Sequence, residues 1–200
     1  LDPCDNIIIS GNVSGSSSTQ IDLDSGNPAG LYTGDGSTSN MFVAKYTNNG
    51  GFIWLRYSDN AGSGTTRIGS VGVNGYYNGG MALDKDGDIY IVGSSDAALS
   101  LNGNTVGGNG NRGYIVKYDR NGNYVWSGVS QPSGWALGWL MNVTVGENYD
   151  VSAFGKSSNE MIAPFSSTGS GASGQNAYTY NISQIIIPPD PQIEYTQTTQ

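Results

Sequence analysis

Apolar residues in this chain fall in short runs, and each run ends in a cluster of Gly, Asn, Asp or Ser. Runs of this kind are typical of β-strands, because a helix needs at least about ten residues with an apolar stripe along one face. Ile89–Val92 is apolar throughout, as expected of a strand that is buried on both faces. Asn121 and Gly122 separate two such runs and predict a hairpin turn, since both residues tolerate positive φ. The pattern therefore predicts an all-β fold.

The apolar runs are parts of a longer repeat. Phe42–Trp54 recurs without a gap 72 positions later as Tyr114–Trp126, with Lys, Tyr, Asn, Gly and Trp at matching positions. A second block, Leu1–Gly11, recurs 82 positions later as Leu83–Gly93. Self-similarity over such distances indicates an array of equivalent supersecondary units. Arrays of this kind serve more often as scaffolds and binding surfaces than as single deep active sites.

Each unit is predicted to contain four strands. We expect a partial unit with a long Gly/Ser loop over residues 1–60, the most complete unit over residues 61–130, a degraded unit over residues 131–187 and an extended Pro/Thr/Gln tail over residues 188–200. In the complete unit, turns are predicted at Asp84–Asp88 and at Asn121-Gly122. The degraded unit lacks the Asn-Gly turn and the Trp, as terminal repeats often do.

The repeated pattern resembles the bacterial β-propeller repeat often called the seven-bladed or SBBP repeat. The resemblance rests on Phe42–Trp54, Met81–Gly93 and Tyr114–Trp126, with Leu1–Gly11 as a partial copy, and it spans about two-thirds of the chain. It implies propeller-like blades, each a four-stranded antiparallel sheet, and it says almost nothing about function. A closed propeller typically needs about 4–8 blades. We therefore expect a segment of a larger propeller, with the true N-terminus ahead of Leu1, or else blades that assemble differently and expose their edges to partners.

The charge of the chain limits the classes of partner. It has 16 acidic and 8 basic residues and a net charge of −8, and the basic residues are scattered. Nucleic acid and anionic membranes both attract clustered cationic side chains, so neither is an expected partner. No apolar run approaches the roughly 20 residues that span a bilayer, so membrane insertion is not expected either. Low charge, abundant Asn, Gly, Ser and Thr, and a single Cys are typical of extracellular, cell-surface or virion-surface proteins.

Two residue types restrict the chemistry further. The chain contains no His, which removes Ser-His-Asp and Cys-His catalysis and His-ligated metals from consideration. Cys4 is the lone cysteine, so no disulfide forms within the chain. We expect Cys4 to be a small buried side chain at the start of a strand.

One acidic segment has the spacing of a calcium loop. Asp84, Asp86 and Asp88 alternate along the chain, and hard oxygen ligands at alternate positions can converge on one ion. The segment lacks the distal Glu of an EF-hand, and the same carboxylates suit a tight hairpin turn. A turn and a weak calcium site both stay open as interpretations, and no other cofactor is expected.

The aromatic residues divide into two groups. Tyr76, Tyr77, Trp135 and Trp139 lie in Gly-rich segments outside the repeated strands, where they suit either a ligand-binding surface, such as one for glycans, or the packing between units. A structural role is expected for the residues that are identical between the two copies. These are Lys45 and Lys117, Tyr46 and Tyr118, and Trp54 and Trp126.

These observations favour a non-catalytic structural and adhesive module that binds neighbouring protein subunits, the remaining blades of the same polypeptide, or glycans. The alternative is a polysaccharide-degrading enzyme that uses loop carboxylates as acid and base. Candidates for such a pair are Asp59, Asp96, Asp150 and Glu160. Acidic side chains that converge in one cleft would favour the enzyme, and flat faces buried on neighbours would favour the structural module.

Overall fold

The structure of the protein is a computed structural model. It describes residues 1–13, 20–26, 28–33, 40–60, 66–68, 70–71, 77–78, 80–96, 98–101, 104–106, 112–129, 131–132, 138–157, 161–162, 166–168 and 176–181. The last predicted element, the tail over residues 188–200, lies outside the described residues.

The described chain is built from short β-strands and a single 3₁₀ turn, Pro28–Gly30. The strands of the first half are β1 (Ile7–Val13), β2 (Gln20–Asp22), β3 (Leu31–Thr33), β4 (Asn40–Tyr46), β5 (Phe52–Asn60), β6 (Thr66–Ile68), β7 (Ser70–Val71), β8 (Tyr77–Asn78), β9 (Met81–Leu83) and β10 (Ile89–Ser95). Those of the second half are β11 (Leu99–Leu101), β12 (Asn104–Val106), β13 (Arg112–Tyr118), β14 (Tyr124–Val129), β15 (Gln131–Pro132), β16 (Gly138–Val145), β17 (Val151–Ser157), β18 (Met161–Ile162), β19 (Ser166–Thr168) and β20 (Asn176–Asn181).

Three larger antiparallel sheets contain most of these strands. The first sheet has the strand order β1-β4-β5-β11-β12, and the third has the order β16-β17-β20-β19. The second sheet has the order β14-β13-β10-β6, and β9 also pairs with β10. Two-stranded ladders form between β2 and β3, β7 and β8, and β15 and β18. The prediction of an all-β fold is confirmed, and none of the sheets among the described strands closes on itself.

The two copies of the sequence repeat form the same strand ladder. In each copy a residue of the second strand lies opposite the lysine, and the lysine lies opposite the tryptophan. The residues are Ile8, Lys45 and Trp54 in the first sheet and Tyr90, Lys117 and Trp126 in the second. A β-bulge follows the lysine in both copies. The predicted equivalence of the two hairpins is therefore confirmed.

The three sheets stack face to face, with β10 in the middle. This strand is buried along its whole length, as predicted for a strand covered on both faces. Because successive side chains of a strand point to opposite faces, Ile89 and Ile91 pack against the first sheet, and Tyr90 and Val92 pack against the third. The layer between the first and second sheets contains Ile8, Met41, Val43, Trp54, Ile89, Ile91, Leu101, Tyr114, Val116 and Tyr118. The layer between the second and third contains Tyr90, Val92, Ile115, Leu140, Val143, Val151 and Ala153.

Segments that link the repeated strands add to the first sheet. β11, from the long loop of the second unit, pairs with the end of β5 and places Leu101 in the layer between the sheets. The outer face of the first sheet is covered by the loop of its own unit, where Tyr32 packs with Val13 and Leu55. Neither contribution was predicted from the sequence, because these loops are rich in Gly and Ser. The few apolar residues within them, such as Leu101 and Tyr32, carry the packing.

Five hairpin turns share one geometry. In each, the N–H of the first residue donates to the carbonyl of the fifth, and the N–H of the fourth donates to the carbonyl of the first. The fourth residue has a φ between 61° and 88° in every turn. The turns are Asp2–Asn6, Thr47–Gly51, Asp84–Asp88, Asp119–Asn123 and Gly146–Asp150. The predicted turns at Asp84–Asp88 and Asn121-Gly122 are among them.

Cys4 lies in the first of these turns and is exposed. The expectation of a buried thiol at the start of a strand is therefore wrong. The Asp2 carboxylate accepts the N–H groups of Cys4 and Asn6 and closes the turn. The strand begins only after the turn, at Ile7.

The turn Asp119–Asn123 of the second sheet packs against the first sheet. Gly122 lies directly against the Trp54 indole, and a Cβ on this glycine would lie 2.8 Å from Trp54 Cδ2. Arg56 Nε donates to the Gly122 carbonyl at 2.6 Å. The glycine is therefore required twice, for its φ of +80° and for the close approach of the indole.

Alanine substitutions at Gly122 and at Gly50, compared with each other, separate the requirement for a positive φ from the requirement for close approach of the indole. Gly50 has a similar φ of +88°, and a Cβ there would meet no atom within 4 Å. We expect Gly50→Ala to cost about 1–2 kcal/mol from the backbone alone. Gly122→Ala should cost about 1–3 kcal/mol more, because it also displaces the indole. Urea unfolding of both variants measures the difference, and equal midpoints would contradict the contact.

Candidate functional site

All five hairpin turns lie at one end of the stacked sheets, which we call the turn end. Antiparallel pairing of β1 with β4, and of β10 with β13, places two turns side by side in each sheet. Between sheets, Lys45 Nζ donates to the Arg120 carbonyl at 2.8 Å, and the Tyr149 hydroxyl donates to the Asp86 carboxylate. The five turns carry eight of the 16 acidic residues of the chain but only two of its basic residues. The turn end therefore carries a strong excess of acidic residues.

In the second sheet, a buried ammonium group lies between two carboxylates of this end. Lys117 Nζ is 2.7 Å from Asp88 Oδ2 and 3.7 Å from Asp84 Oδ2. Asp84 Oδ1 accepts the N–H groups of Asp86 and Asp88 at 3.0 and 2.9 Å, and the Tyr90 hydroxyl donates to Asp84 Oδ2 at 3.2 Å. The buried charges thus have the partners that burial requires.

The first sheet repeats this arrangement with one change. Lys45 Nζ is 2.7 Å from Asp2 Oδ2, and both side chains are buried. Asp2 Oδ1 accepts the N–H groups of Cys4 and Asn6 at 2.9 and 2.8 Å, and the Asn6 side-chain amide donates to Asp2 Oδ2 at 3.0 Å. Asn6 stands where the second sheet has an aspartate, so the second bond of Lys45 goes to the Arg120 carbonyl of the neighbouring unit.

These groups have pKa values far from neutrality. Burial would raise the pKa of Asp2, but bonds from Lys45, Asn6 and the N–H of Cys4 outweigh it and hold the pKa well below its ordinary value of 3.8. Burial would lower the pKa of Lys117, but the bond to Asp88 and the contact with Tyr90 raise it above its ordinary value. Burial raises the pKa of Tyr90 to about 12. Such groups keep one charge state at pH 7, whereas a general acid or base works best with a pKa near the working pH.

The tyrosines that follow the two lysines differ in their surroundings. Tyr118 is fully buried between the first and second sheets, and its hydroxyl has no hydrogen-bond partner among the described residues. Tyr46 is half-buried on the outer face of the first sheet, and its hydroxyl donates to the Leu23 carbonyl at 2.8 Å. Both rings fill apolar layers rather than line an open surface.

The two equivalent tryptophans are not equally buried. Trp54 is 7% exposed beneath the turn that contains Gly122. Trp126 is half-buried and packs edge-on against Tyr90, with ring centroids 6.2 Å apart. The two equivalent positions therefore have different surroundings.

The three calcium candidates belong to the cluster around Lys117. Asp84 is bonded as described above, Asp88 Oδ1 accepts the N–H of Arg120 at 3.1 Å, and Asp86 accepts the Tyr149 hydroxyl. These contacts fit the interpretation as a hairpin turn. Among the described residues, no group of three or more His, Cys, Asp or Glu side chains is arranged to hold a metal ion. Calcium binding stays a prediction.

Of the four aromatic residues considered for ligand binding, two lie within the described residues. Tyr76 and Trp135 lie outside the described residues. Tyr77 is in β8, opposite Val71 of β7, and Trp139 is in β16, opposite Lys156. Because β7 lies against β16, the backbone brings the hairpin of Tyr77 beside the strand of Trp139.

The carboxylates proposed for glycoside hydrolysis are divided between the two ends of the sheets. Asp59 and Asp96 lie at the ends of β5 and β10 that are farthest from the turns. Asp150 closes the turn Gly146–Asp150 at the opposite end. A strand of this length separates the two ends by about 20 Å, far more than the ~5–10 Å between paired catalytic carboxyl groups. Glu160 lies outside the described residues.

Comparison of the sequence with protein-family models and with curated proteins finds no match. The resemblance to the SBBP repeat therefore stays a prediction. Within the described part of the chain, no helix has the length and apolar character needed to cross a membrane.

Sequence reasoning missed the pairing of lysine with aspartate. It assigned Lys45 and Lys117 a structural role from their identity, and it considered Asp84 only as a turn or calcium residue. The signal was present in the two repeat offsets, because Asp2 recurs as Asp84 and Lys45 recurs as Lys117. Two oppositely charged positions that are retained together in both copies indicate a contact.

Removal of the ammonium group tests the cluster in the second sheet. Lys117→Met keeps the length of the side chain but leaves Asp84 and Asp88 without a countercharge. We expect a loss of about 3–5 kcal/mol in the free energy of unfolding. Lys85→Met is the matched control, since Lys85 is exposed and stacks on Tyr149 at 4.6 Å, and it should cost less than about 1 kcal/mol. Similar unfolding midpoints for the two variants would refute the role of Lys117.

The lowered pKa of Asp2 predicts a loss of stability in acid. A carboxyl group whose pKa is depressed on folding contributes stability above its unfolded pKa of about 3.9, and this is lost as pH falls towards the folded value. Urea midpoints of the native chain should therefore fall steeply below about pH 4. Asp2→Asn should lower stability at pH 7 and make the decline of the urea midpoint in acid shallower. Asp5→Asn, in the exposed part of the same turn, should show the same acid decline as the native chain. An unchanged acid decline in Asp2→Asn would contradict the assignment.

Proposed function

We propose that this chain is a non-catalytic structural and adhesive module of an extracellular surface, fibre or virion. In this proposal the sheets are blades of a propeller-like array, and the array acts by binding protein neighbours or glycans. The observation that carries the proposal is the stacking of three sheets, each of which turns the same face to the next. Low charge, a single Cys and abundant small polar residues support the surface location.

The use of the charged side chains supports a non-catalytic role. The buried carboxylates and ammonium groups at the turn end are bonded to each other and to turn backbone. The carboxylates Asp59 and Asp150, considered for an enzyme, lie at opposite ends of the sheets. The titratable groups that brace the hairpins are thus engaged in structural contacts.

The ends of the stack support binding to protein neighbours. Ile91 is fully buried in the middle of the stack, but its equivalent in the first sheet, Ile9, is 38% exposed. Val92 is fully buried, but Phe154, which stands at the corresponding place in the third sheet, is 40% exposed. Each end therefore exposes an apolar side chain that the middle unit covers with a neighbour, although the loop of the first unit covers other parts of the outer face of the first sheet. Further blades or adjacent subunits are the partners that fit these ends.

The solution state of residues 1–200 tests this dependence on neighbours. We expect the isolated chain to self-associate or to unfold without a sharp transition, as sedimentation and thermal melting would show, because apolar side chains at its two ends are exposed. A monodisperse, cooperatively folding monomer would defeat the proposal of a module that needs neighbours. It would favour a self-contained glycan-binding domain, and Trp139→Ala and Tyr77→Ala would then be the variants to test on a glycan array.

A further inference from the structure

The buried ion pair of the first sheet has a third member with which the lysine can react. Asp2 Oδ2 lies 2.7 Å from Lys45 Nζ and accepts the side-chain amide of Asn6 at 3.0 Å. One carboxylate oxygen therefore holds a primary amine and a carboxamide at the same time. We call these three side chains the first-sheet trio. They contain a nucleophile, a carbonyl carbon for it to attack and a group that can carry a proton between the two nitrogens.

The second sheet shows that a side chain at the position of Asn6 reaches the lysine. Asp88 occupies this position in the 82-residue repeat, and its Oδ2 is 2.7 Å from Lys117 Nζ. The two turns have the same backbone hydrogen bonds, and both lysines lie in the same register with the second strand of their unit. Rotation of the Asn6 side chain would therefore bring its Cγ beside Lys45 Nζ.

The surroundings of the trio favour a reaction between the two side chains over attack by water. The side chains of Lys45 and Asp2 are only 7% and 4% exposed, so few water molecules reach the amine and the carboxylate. Asn6 directly precedes β1, and β1 pairs with the strand that carries Lys45. Two groups held side by side in this way react at an effective concentration far above that of free molecules in solution.

Asp2 suits a reaction that occurs once in each chain. Burial would raise the pKa of the Asp2 carboxyl, but bonds from Lys45 and Asn6 hold it well below its ordinary value of 3.8. The carboxylate is therefore ionised at neutral pH and is a weak base, which makes proton transfer to it slow. A bond that forms once needs a single turnover, so a slow proton transfer is sufficient.

We propose that Lys45 and Asn6 become joined by an isopeptide bond, an amide between two side chains. Lys45 Nζ passes one proton to Asp2 and attacks Asn6 Cγ. The Cγ–Nδ2 bond then breaks, and the leaving nitrogen takes this proton and a second one from Nζ, so that it departs as ammonium and leaves Asp2 ionised as before. The exchange consumes no oxidant or cofactor. This modification goes beyond the proposed function and does not depend on it.

The test is the intact mass of the folded chain, combined with protease cleavage on the N-terminal side of aspartate. After incubation at neutral pH, we expect a mass lower than that of the sequence by one ammonia. The peptides of residues 5–21 and 35–58, which contain Asn6 and Lys45, should be recovered as one linked fragment. A chain kept in urea should retain its full mass and give two separate peptides, because the trio is assembled only by folding.

Two exchanges between the sheets provide matched variants. Asn6→Asp reproduces the ion pair of the second sheet, so this variant should fold and give separate peptides. Asp88→Asn makes the converse exchange beside Lys117, where Asp84 stands in the place of Asp2. It should gain a second link, between position 88 and Lys117, and lose a second ammonia.

A full mass in the folded native chain would overturn the inference. A loss of ammonia that persists in Asn6→Asp, or that occurs without a linked fragment, would also overturn it, because the ammonia would then come from another residue. The absence of a second link in Asp88→Asn would count against it too, since Lys117 already contacts that side chain. These measurements detect a covalent bond, so their result is separate from whether the module binds protein neighbours or glycans.

Discussion

The structure depends on a lysine ammonium group buried where two strands enter their turns. Lys117 and Lys45 both lie at this point, opposite the indole of the fourth strand and next to the aspartate that closes the first turn. An unpaired charge at such a site would be very costly, so the turn must bring its carboxylate to the correct position. The pair therefore links the conformation of the turn to the register of the strands on both sides of it.

Contacts between units use the same elements. Lys45 reaches the Arg120 carbonyl, and Arg56 reaches the Gly122 carbonyl one turn further along. The turn of one unit is thus held by the lysine and arginine of the unit before it, over the face of Trp54. Since each sheet turns the same face to the next, this interface can be continued by further units of the same kind. The charged side chains Lys45 and Arg56 are thus used for contacts between units.

The repeat predicted much of the fold because both hairpins are encoded locally. The Asn121-Gly122 turn, the apolar run Ile89–Val92 and the copied block Phe42–Trp54 were sufficient to place strands and turns. The turn Gly146–Asp150 was not predicted, because Tyr149 occupies the position of positive φ, where glycine is the usual signal. Contacts with Asp86 and Lys85 of the neighbouring unit support this tyrosine.

The candidate site was harder to predict than the fold. Side-chain partners such as Lys45 and Asp2 are distant in sequence, and only the strand register brings them together. The close contact of Gly122 with Trp54 depends on how the two sheets stack, which no local pattern of the sequence specifies. The exposure of Cys4 depends on the carboxylate of Asp2, which holds the chain in a turn where a strand was expected.

The connections at the two ends of the sheets differ in how much their length can vary. Every turn at the turn end has five residues. At the other end, the link between the second and third strands spans residues 14–39 in the first unit but only residues 96–111 in the second. Lengthening a loop carries a small entropic cost that grows only with the logarithm of its length. An added residue in the turn Asp2–Asn6 or Asp84–Asp88 would instead displace the carboxylate that pairs with the buried lysine. The fold is therefore a suitable carrier for foreign peptide insertions in these links outside β2, β3, β11 and β12, where a new epitope could be displayed without disturbing the strand register.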